Sequence, residues 1–437
     1  LTGRMPLHVL AGVQKKTAGH IEVCRILIDA MNRTFGVKPL GLNAPVDNAG
    51  LTPCGWLQGR QPSKEIRDML HQPGDLSVSK ALRRGTPASS ADAQHVGRGL
   101  YSSFAEASVP GWKYTMEDAF CAHPDVTFPA SHGSCDVYAV FDGHGGAEVA
   151  QFCAENFLEQ LKESSSFREP GHAGSDIAAA LTETCAALDA AIVAQPNLRL
   201  PGSTGVIVVI TKQQIFCANV GDCRVVLEQK VESDPDNTDE DAARSIALTT
   251  DHTLKNSSEV ERLHAMGATL TEDEDRVIYI VPDLEDPENN SRHLVEPTRT
   301  FGNAFSKLRL IPESLGGGLE PTESSNHALT SVPEITVHER TDNDRFLVIA
   351  CDGIWDVMSN DDVGGLLRRQ FGLVTEEGEQ SHPVDAQHKT ELLESSREIL
   401  TTCLERNSGD NMTVLVIGLA AATKGELSKT LFDNWAT

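Results

Sequence analysis

Four short apolar runs in this chain each meet an aspartate at one end. VYAVFDG (137–143) ends on Asp142, FLVIACDG (346–353) on Asp352, and IFCANV (215–220) runs into Gly221-Asp222. MTVLVIGL (412–419) follows Asp410. Runs of this length, rich in Val and Ile and flanked by Gly and Asp, read as buried strands. GVIVVI (205–210), TKQQ and IFCANV together read as a hairpin. A single aspartate at a strand end is usually a turn residue. Four at the ends of core strands admit a second reading. If those ends converge, the carboxylates repel one another unless they are protonated or share cations. Hard oxygen donors select Mg²⁺ or Mn²⁺ over zinc, and no His/Cys ligand set competes.

Two stretches between these strands carry a helical period. Over 145–163, Val149, Phe152, Cys153, Phe157 and Leu161 recur near 3.6-residue spacing, as do Ile177, Leu181, Leu188 and Ile192 over 177–195. Strand hairpins alternating with amphipathic helices fit an α+β domain of two sheets covered by helices. No apolar run reaches the ~18 residues of a membrane span. The ten cysteines lie scattered between Cys24 and Cys403 without a CxxC pair. That pattern fits free thiols in a reducing compartment, so a cytoplasmic or nuclear location is expected.

The net charge of −26 is unevenly spread. Residues 1–95 hold 12 Lys/Arg against 7 Asp/Glu, a balance of +5, and the rest of the chain carries −31. Opposite balances suggest two domains. The acidic part argues against a nucleic-acid binder that works by neutralising phosphates. The Ser-, Gly- and Pro-rich residues 72–99 read as a linker. Before them, GRMPLH (3–8) with GHIEVCRILIDA (19–30), then LNAPVDNAGLTPCGWL (42–57) with PSKEIRDML (62–70), resemble ankyrin repeats. The match covers about one repeat and the start of a second, with a long spacing between them. The resemblance implies a helical, protein-binding module over 1–71 with further repeats upstream of Leu1.

The acidic part resembles the metal-dependent Ser/Thr protein phosphatases of the 2C type. The matching segments, in family order, are GWKYTMEDAF (111–120), VFDGHGGAEVA (140–150), GSTGVIVVI (202–210), ANVGDCRVVL (218–227), LTTDHTLKNSSEVERLHAMGA (248–268), TRTFGNAFSK (298–307), VIACDGIWDVMSNDD (348–362) and SGDNMTVLVIG (408–418). The resemblance implies a four-layer α-β-β-α sandwich over 100–425, with a tail at 426–437. It further implies a phosphatase acting on phosphoserine and phosphothreonine in protein substrates, with two Mg²⁺ or Mn²⁺ ions and a weaker third. Asp142 would bridge two ions, with the Gly143 carbonyl on one of them. Asp352 and Asp410 would hold the second, and Asp222 the third. Glu117 and Asp118 would hold metal-bound waters, and Asp118 counts among the metal-site acids. His144 would be the general acid, Thr204 a residue beside that network, and Lys113 the phosphate contact. The catalytic domain would be monomeric, with no membrane or nucleic-acid partner.

Two departures bear on activity. Lys113 stands where the family commonly has arginine, so the two-pronged grip on phosphate is lost and a raised KM is expected. Asn303 stands where the family usually has aspartate; it is expected to support the flap side of the site rather than the two core metals. Gly205 replaces the usual alanine, while Arg299 and Lys307 keep the family spacing. These departures favour a competing reading, a weakly active or inactive phosphatase-like adaptor. Retention of Glu117, Asp118, Asp142, Asp352 and Asp410 speaks against it. The acidic stretches 232–244, 272–275 and 283–290 read as solvated loops, with steering of basic substrates as the functional alternative.

Overall fold

A computed structural model describes residues 96–111, 113, 115–127, 133–168, 175–230, 243–271, 276–281, 291–310, 319–321, 327–371 and 389–420. The ankyrin-like segment, nearly all of the 72–99 linker, most of the acidic stretch 232–244, those at 272–275 and 283–290, and the 426–437 tail lie outside them. The described residues fall into two units. The smaller holds residues of Ser108–Met116 and Leu400–Met412; the larger holds the rest.

The larger unit is built on two antiparallel sheets. In chain order the strands are β1 (Val96–Arg98), β2 (Ser102–Val109), β3 (Ala119–Thr127), β4 (Ser134–His144), β5 (Gly202–Ile210), β6 (Gln214–Val220), β7 (Arg224–Lys230) and β8 (Ala243–Ala247). There follow β9 (Thr269–Leu270), β10 (Val277–Val281), β11 (Ser291–Val295), β12 (Phe301–Gly302), β13 (Leu308–Leu310), β14 (Leu319–Pro321), β15 (Glu334–Glu339), β16 (Asp344–Ala350) and β17 (Met412–Leu419). Sheet I has the order β1-β2-β17-β16-β7-β8. Sheet II has the order β15-β6-β5-β4-β3, with β12 on β5. β9–β11 and β13–β14 form two small sheets. The helices are α1 (Glu148–Glu163), α2 (Ser165–Arg168), α3 (Ser175–Val193), α4 (Ser257–Ala265), α5 (Asp352–Trp355), α6 (Asn360–Gln370) and α7 (Lys389–Glu405).

Strand alternation sorts the core into layers. On β4, Val137, Ala139 and Phe141 join Val149, Cys153, Phe157 and Leu161 of α1 and Ile177, Leu181, Leu188 and Ile192 of α3. The intervening Tyr138 and Val140 face the other way. They meet Val206, Val208 and Ile210 of sheet II and Leu347, Ile349, Leu415 and Ile417 of sheet I. Each such side chain contributes about 1.5–3 kcal/mol by leaving water, so the run with no polar position is explained by burial on both faces. On the far side of sheet I, the ring of Phe346 lies 4.4 Å from that of Phe371, at the end of α6.

The structure moves three boundaries. Helix α1 starts at Glu148, not 145, because Gly145 and Gly146 have φ of 73° and 142°, outside helical space. Helix α3 ends at Val193, just before Pro196 opens a short 3₁₀ turn. The linker ends earlier than expected. Val96–Arg98 pair with Ser103–Ala105, and the buried carboxylate of Asp136 accepts from Leu100 N at 2.9 Å and Tyr101 N at 2.8 Å. The ladder and that carboxylate satisfy backbone groups a linker would leave to water.

Candidate active site

Antiparallel pairing gathers the aspartates of the larger unit at strand ends that coincide. β4 runs down to Asp142, and β3, its antiparallel neighbour, starts beside that end: Ala119 is opposite Phe141, just after Asp118. β6 runs parallel to β4, two places away, so the Gly221-Asp222 turn leaves at the same end. In sheet I, β16 ends at Ala350 opposite Arg224 of β7 and Val414 of β17. Asp352 follows as the first residue of α5.

The two sheets meet through Asp118. Its Oδ2 accepts from Thr413 Oγ1 at 2.8 Å and from Cys351 Sγ at 3.3 Å, all three residues being buried. Carboxylate oxygens of Asp118 and Asp142 and the sulfur of Cys351 lie within 4.8 Å of one another. Burial, followed by the charges of Asp118, Asp142 and Asp352, drives the Cys351 thiol well above its ordinary range. It therefore stays a neutral S–H that donates to Asp118. What remains for a metal is a set of hard carboxylate oxygens, which fits Mg²⁺ or Mn²⁺ better than zinc. Burial and the neighbouring Asp352 likewise push the Asp222 carboxyl well up, the expected response of clustered acids without a counter-ion.

Backbone approach packs these strand ends closely. The Cα of Gly143 lies against the Glu117 carbonyl, where any Cβ would collide with main chain. Ser203 Oγ donates to the Asp142 carbonyl at 3.0 Å, across the register pair Asp142–Thr204. Thr204 itself pairs with Cys223 Sγ at 3.4 Å. The turn bearing Asp222 is clamped by His252, whose ring Nδ1 accepts from Gly221 N at 3.1 Å and whose backbone N–H donates to Gly221 O at 2.9 Å.

His144 closes β4 opposite Gly202. Its Nε2 lies 2.8 Å from Asn303 Oδ1. The expectation placed Asn303 on the flap side; here it contacts the candidate acid directly. Lys113 and Asp410 belong to the smaller unit and form an ion pair with each other. There, Asn411 Nδ2 donates to Pro110 O and Thr115 O, both at 2.9 Å, joining the two segments.

The sequence profile described as Protein phosphatase 2C matches residues 102–412. The chain belongs to the protein phosphatase 2C family. It is 32% identical over 330 residues to Protein phosphatase 2C homolog 2 of Aspergillus fumigatus, covering 72% of this chain and 63% of that one. Protein phosphatase 1A of Mus musculus is 28% identical over 344 residues, 76% of this chain and 74% of its own. The chain thus spans under two thirds of the length of its fungal relative. Among solved structures, serine-threonine phosphatase 2C from Toxoplasma gondii superposes with a TM-score of 0.54 at 18% identity, over 74% of this chain and 96% of that one. At that identity the likeness concerns the fold.

Within this 2C-family site, sequence reasoning missed Cys351, Thr413 and the His144–Asn303 contact. Cys351 had one signal, its place beside Asp352 at a strand end. Thr413 had none, since it sits inside an apolar strand. The Asn303 contact spans 159 residues of chain and follows only from the fold.

Proposed function

We propose that this 2C-family chain is a metal-dependent protein serine/threonine phosphatase, hydrolysing phosphoserine and phosphothreonine on protein substrates. The observation that supports it is the convergence of Asp118 and Asp142, with Asp352 and Asp222 as acidic neighbours, on one end of the β-sandwich. Asp142, the Gly143 carbonyl, Asp118, Asp352 and Asp410 are the proposed holders of two Mg²⁺ or Mn²⁺ ions, with Asp222 for a third. The chemistry such cations supply is a water acidified toward neutral pH and compensation of phosphate charge. Glu117 and Asp118 would orient a water held there. His144 protonates the departing Ser or Thr oxygen, a task suited to an imidazole. Lys113 contributes a positive charge toward phosphate. Residues 1–71 are proposed to recruit a protein partner, and the free cysteines suit a cytoplasmic or nuclear location.

A second reading, a weakly active adaptor, draws on one observation: the Lys113 ammonium is paired with Asp410, one of the carboxylates assigned above to metal. Hydrolysis of a phosphothreonine peptide decides between them. With Mn²⁺ the wild type is expected to turn over. EDTA should abolish the activity, and Asp142→Asn should lower it by about a hundredfold or more. Activity indifferent to EDTA overturns the mechanism, and inactivity with every divalent metal supports the adaptor.

A further inference from the structure

The His144–Asn303 pair fixes more than a contact. Asn303 is buried to 2% exposure, and its side-chain amide can be oriented from its other partner. Nδ2 lies 3.1 Å from the Leu200 carbonyl, which can only accept, so Nδ2 donates there and Oδ1 is turned to His144. Oδ1 also can only accept. The hydrogen between Asn303 and His144 therefore sits on Nε2 of the imidazole.

The surroundings hold the amide in that pose. Asn303 occupies the left-handed region, with φ 47° and ψ 49°, which asparagine tolerates better than most residues. Its backbone N–H donates to Pro201 O at 2.9 Å. Gly302 N–H donates to Asp189 Oδ1 at 2.8 Å, and the buried Lys307 ammonium binds both oxygens of Asp189 and the Thr300 carbonyl. A Cβ on Gly202 would collide with Asn303 Oδ1 and His144 Nε2 together, so glycine there is what lets the two meet.

We infer that Asn303 is a positioning residue: it holds the His144 ring through Nε2–H and so fixes the orientation in which the ring serves the leaving group. This rests on the phosphatase reading above. In the step concerned, the bond between phosphorus and the Ser/Thr oxygen breaks with its electron pair going to oxygen. The His144 ring gives one proton to that oxygen and ends neutral. The attacking water supplies the new oxygen on phosphorus.

The test uses the full chain with Mn²⁺ and two substrates differing in leaving group. A phosphothreonine peptide departs as an alkoxide that needs a proton; 4-nitrophenyl phosphate departs as an aryl oxide that does not. The readout is the ratio of kcat on the peptide to kcat on the aryl ester, which a general structural lesion leaves alone. Asn303→Leu, close in size and without an acceptor, should lower the ratio about tenfold or more, as should His144→Ala. Asn303→Asp restores an acceptor oxygen and should bring the ratio back to within about threefold of wild type. A ratio unmoved by Asn303→Leu but collapsed by His144→Ala overturns the positioning role alone. A ratio unmoved by His144→Ala overturns the general-acid role of His144 and the inference with it, while leaving the phosphatase reading in place; an inactive wild type overturns both. Nitrogen-15 correlation of the histidine rings in the metal-free wild type needs no variant to fold. A neutral His144 protonated on Nε2 is expected, and one protonated on Nδ1 refutes the inference.

Discussion

His252 shows what one buried side chain does for this fold. Its Nδ1 takes the Gly221 N–H, which requires a neutral ring, and its Nε2 lies 3.5 Å from Glu334 Oε2. Burial above all, then the cations Arg299 and Arg262 against the opposing pull of Glu259, lower its pKa from 6.5 to about 3. Below pH 6.5 the unfolded chain therefore binds a proton that the folded chain refuses, and stability falls as pH drops toward 3. The slope is at most about 1.4 kcal/mol per pH unit. Glu259, held well below the ordinary carboxylate range by Arg299, Arg262 and Thr298 despite its burial, loses its contribution only at lower pH. Between pH 7 and 5.5 the histidine is thus separable from it. Urea denaturation at those two pH values should show a wild-type loss about 1 kcal/mol larger than that of His252→Asn, whose amide oxygen can replace Nδ1. Equal losses would count against this account.

Among the elements, the segment from Thr298 to Lys307 is the most heavily tied. Arg299 reaches Glu259 Oε1 at 2.7 Å and the Val332 carbonyl at 3.0 Å, while Lys307 is fully buried against Asp189 of α3. The sequence offered both cations only as familiar spacings; the structure makes them internal ties that hold Asn303. A buried ammonium left without its carboxylate costs about 3–5 kcal/mol, whereas replacing both partners by apolar groups can be neutral. Asp189→Leu should accordingly be strongly destabilising in chemical denaturation, and adding Lys307→Met should recover most of the loss. If the double variant is as unstable as the single one, the pair is not the source of the effect.

At the scale of the whole molecule, the acid cluster sets stability in opposite directions with and without metal. Antiparallel order brings Asp118, Asp142, Asp222 and Asp352 to coincident strand ends, where without a cation they oppose folding through mutual repulsion and burial. A cation binding only the folded state adds stability as its concentration rises, about 2.7 kcal/mol at a hundred times its Kd. Asp142→Asn should therefore raise the Tm measured in EDTA and lower the Tm measured in millimolar Mn²⁺. A rise under both conditions would mean that Asp142 does not hold the metal, and a fall under both that it does not repel its neighbours.

Much of this was legible in the linear chain. Runs such as VYAVFDG and FLVIACDG carry their own strand signal, because burial on both faces leaves no polar position, and their terminal aspartates mark the end where the acids gather. The helical periods of α1 and α3 were equally plain; only their starts and stops moved, where Gly145, Gly146 and Pro196 restrict the backbone. The family motifs named the candidate acids in order. The sequence could not supply their juxtaposition, which depends on which strand pairs with which. Cys351 and Thr413 enter the site because β16 ends and β17 begins beside the start of β3. Asn303 reaches His144 because a glycine at 202 and a left-handed turn remove every atom between them. Residue type and period determined the elements and the chemistry on offer. Contacts between positions far apart in the chain, which no local pattern encodes, decided which groups meet.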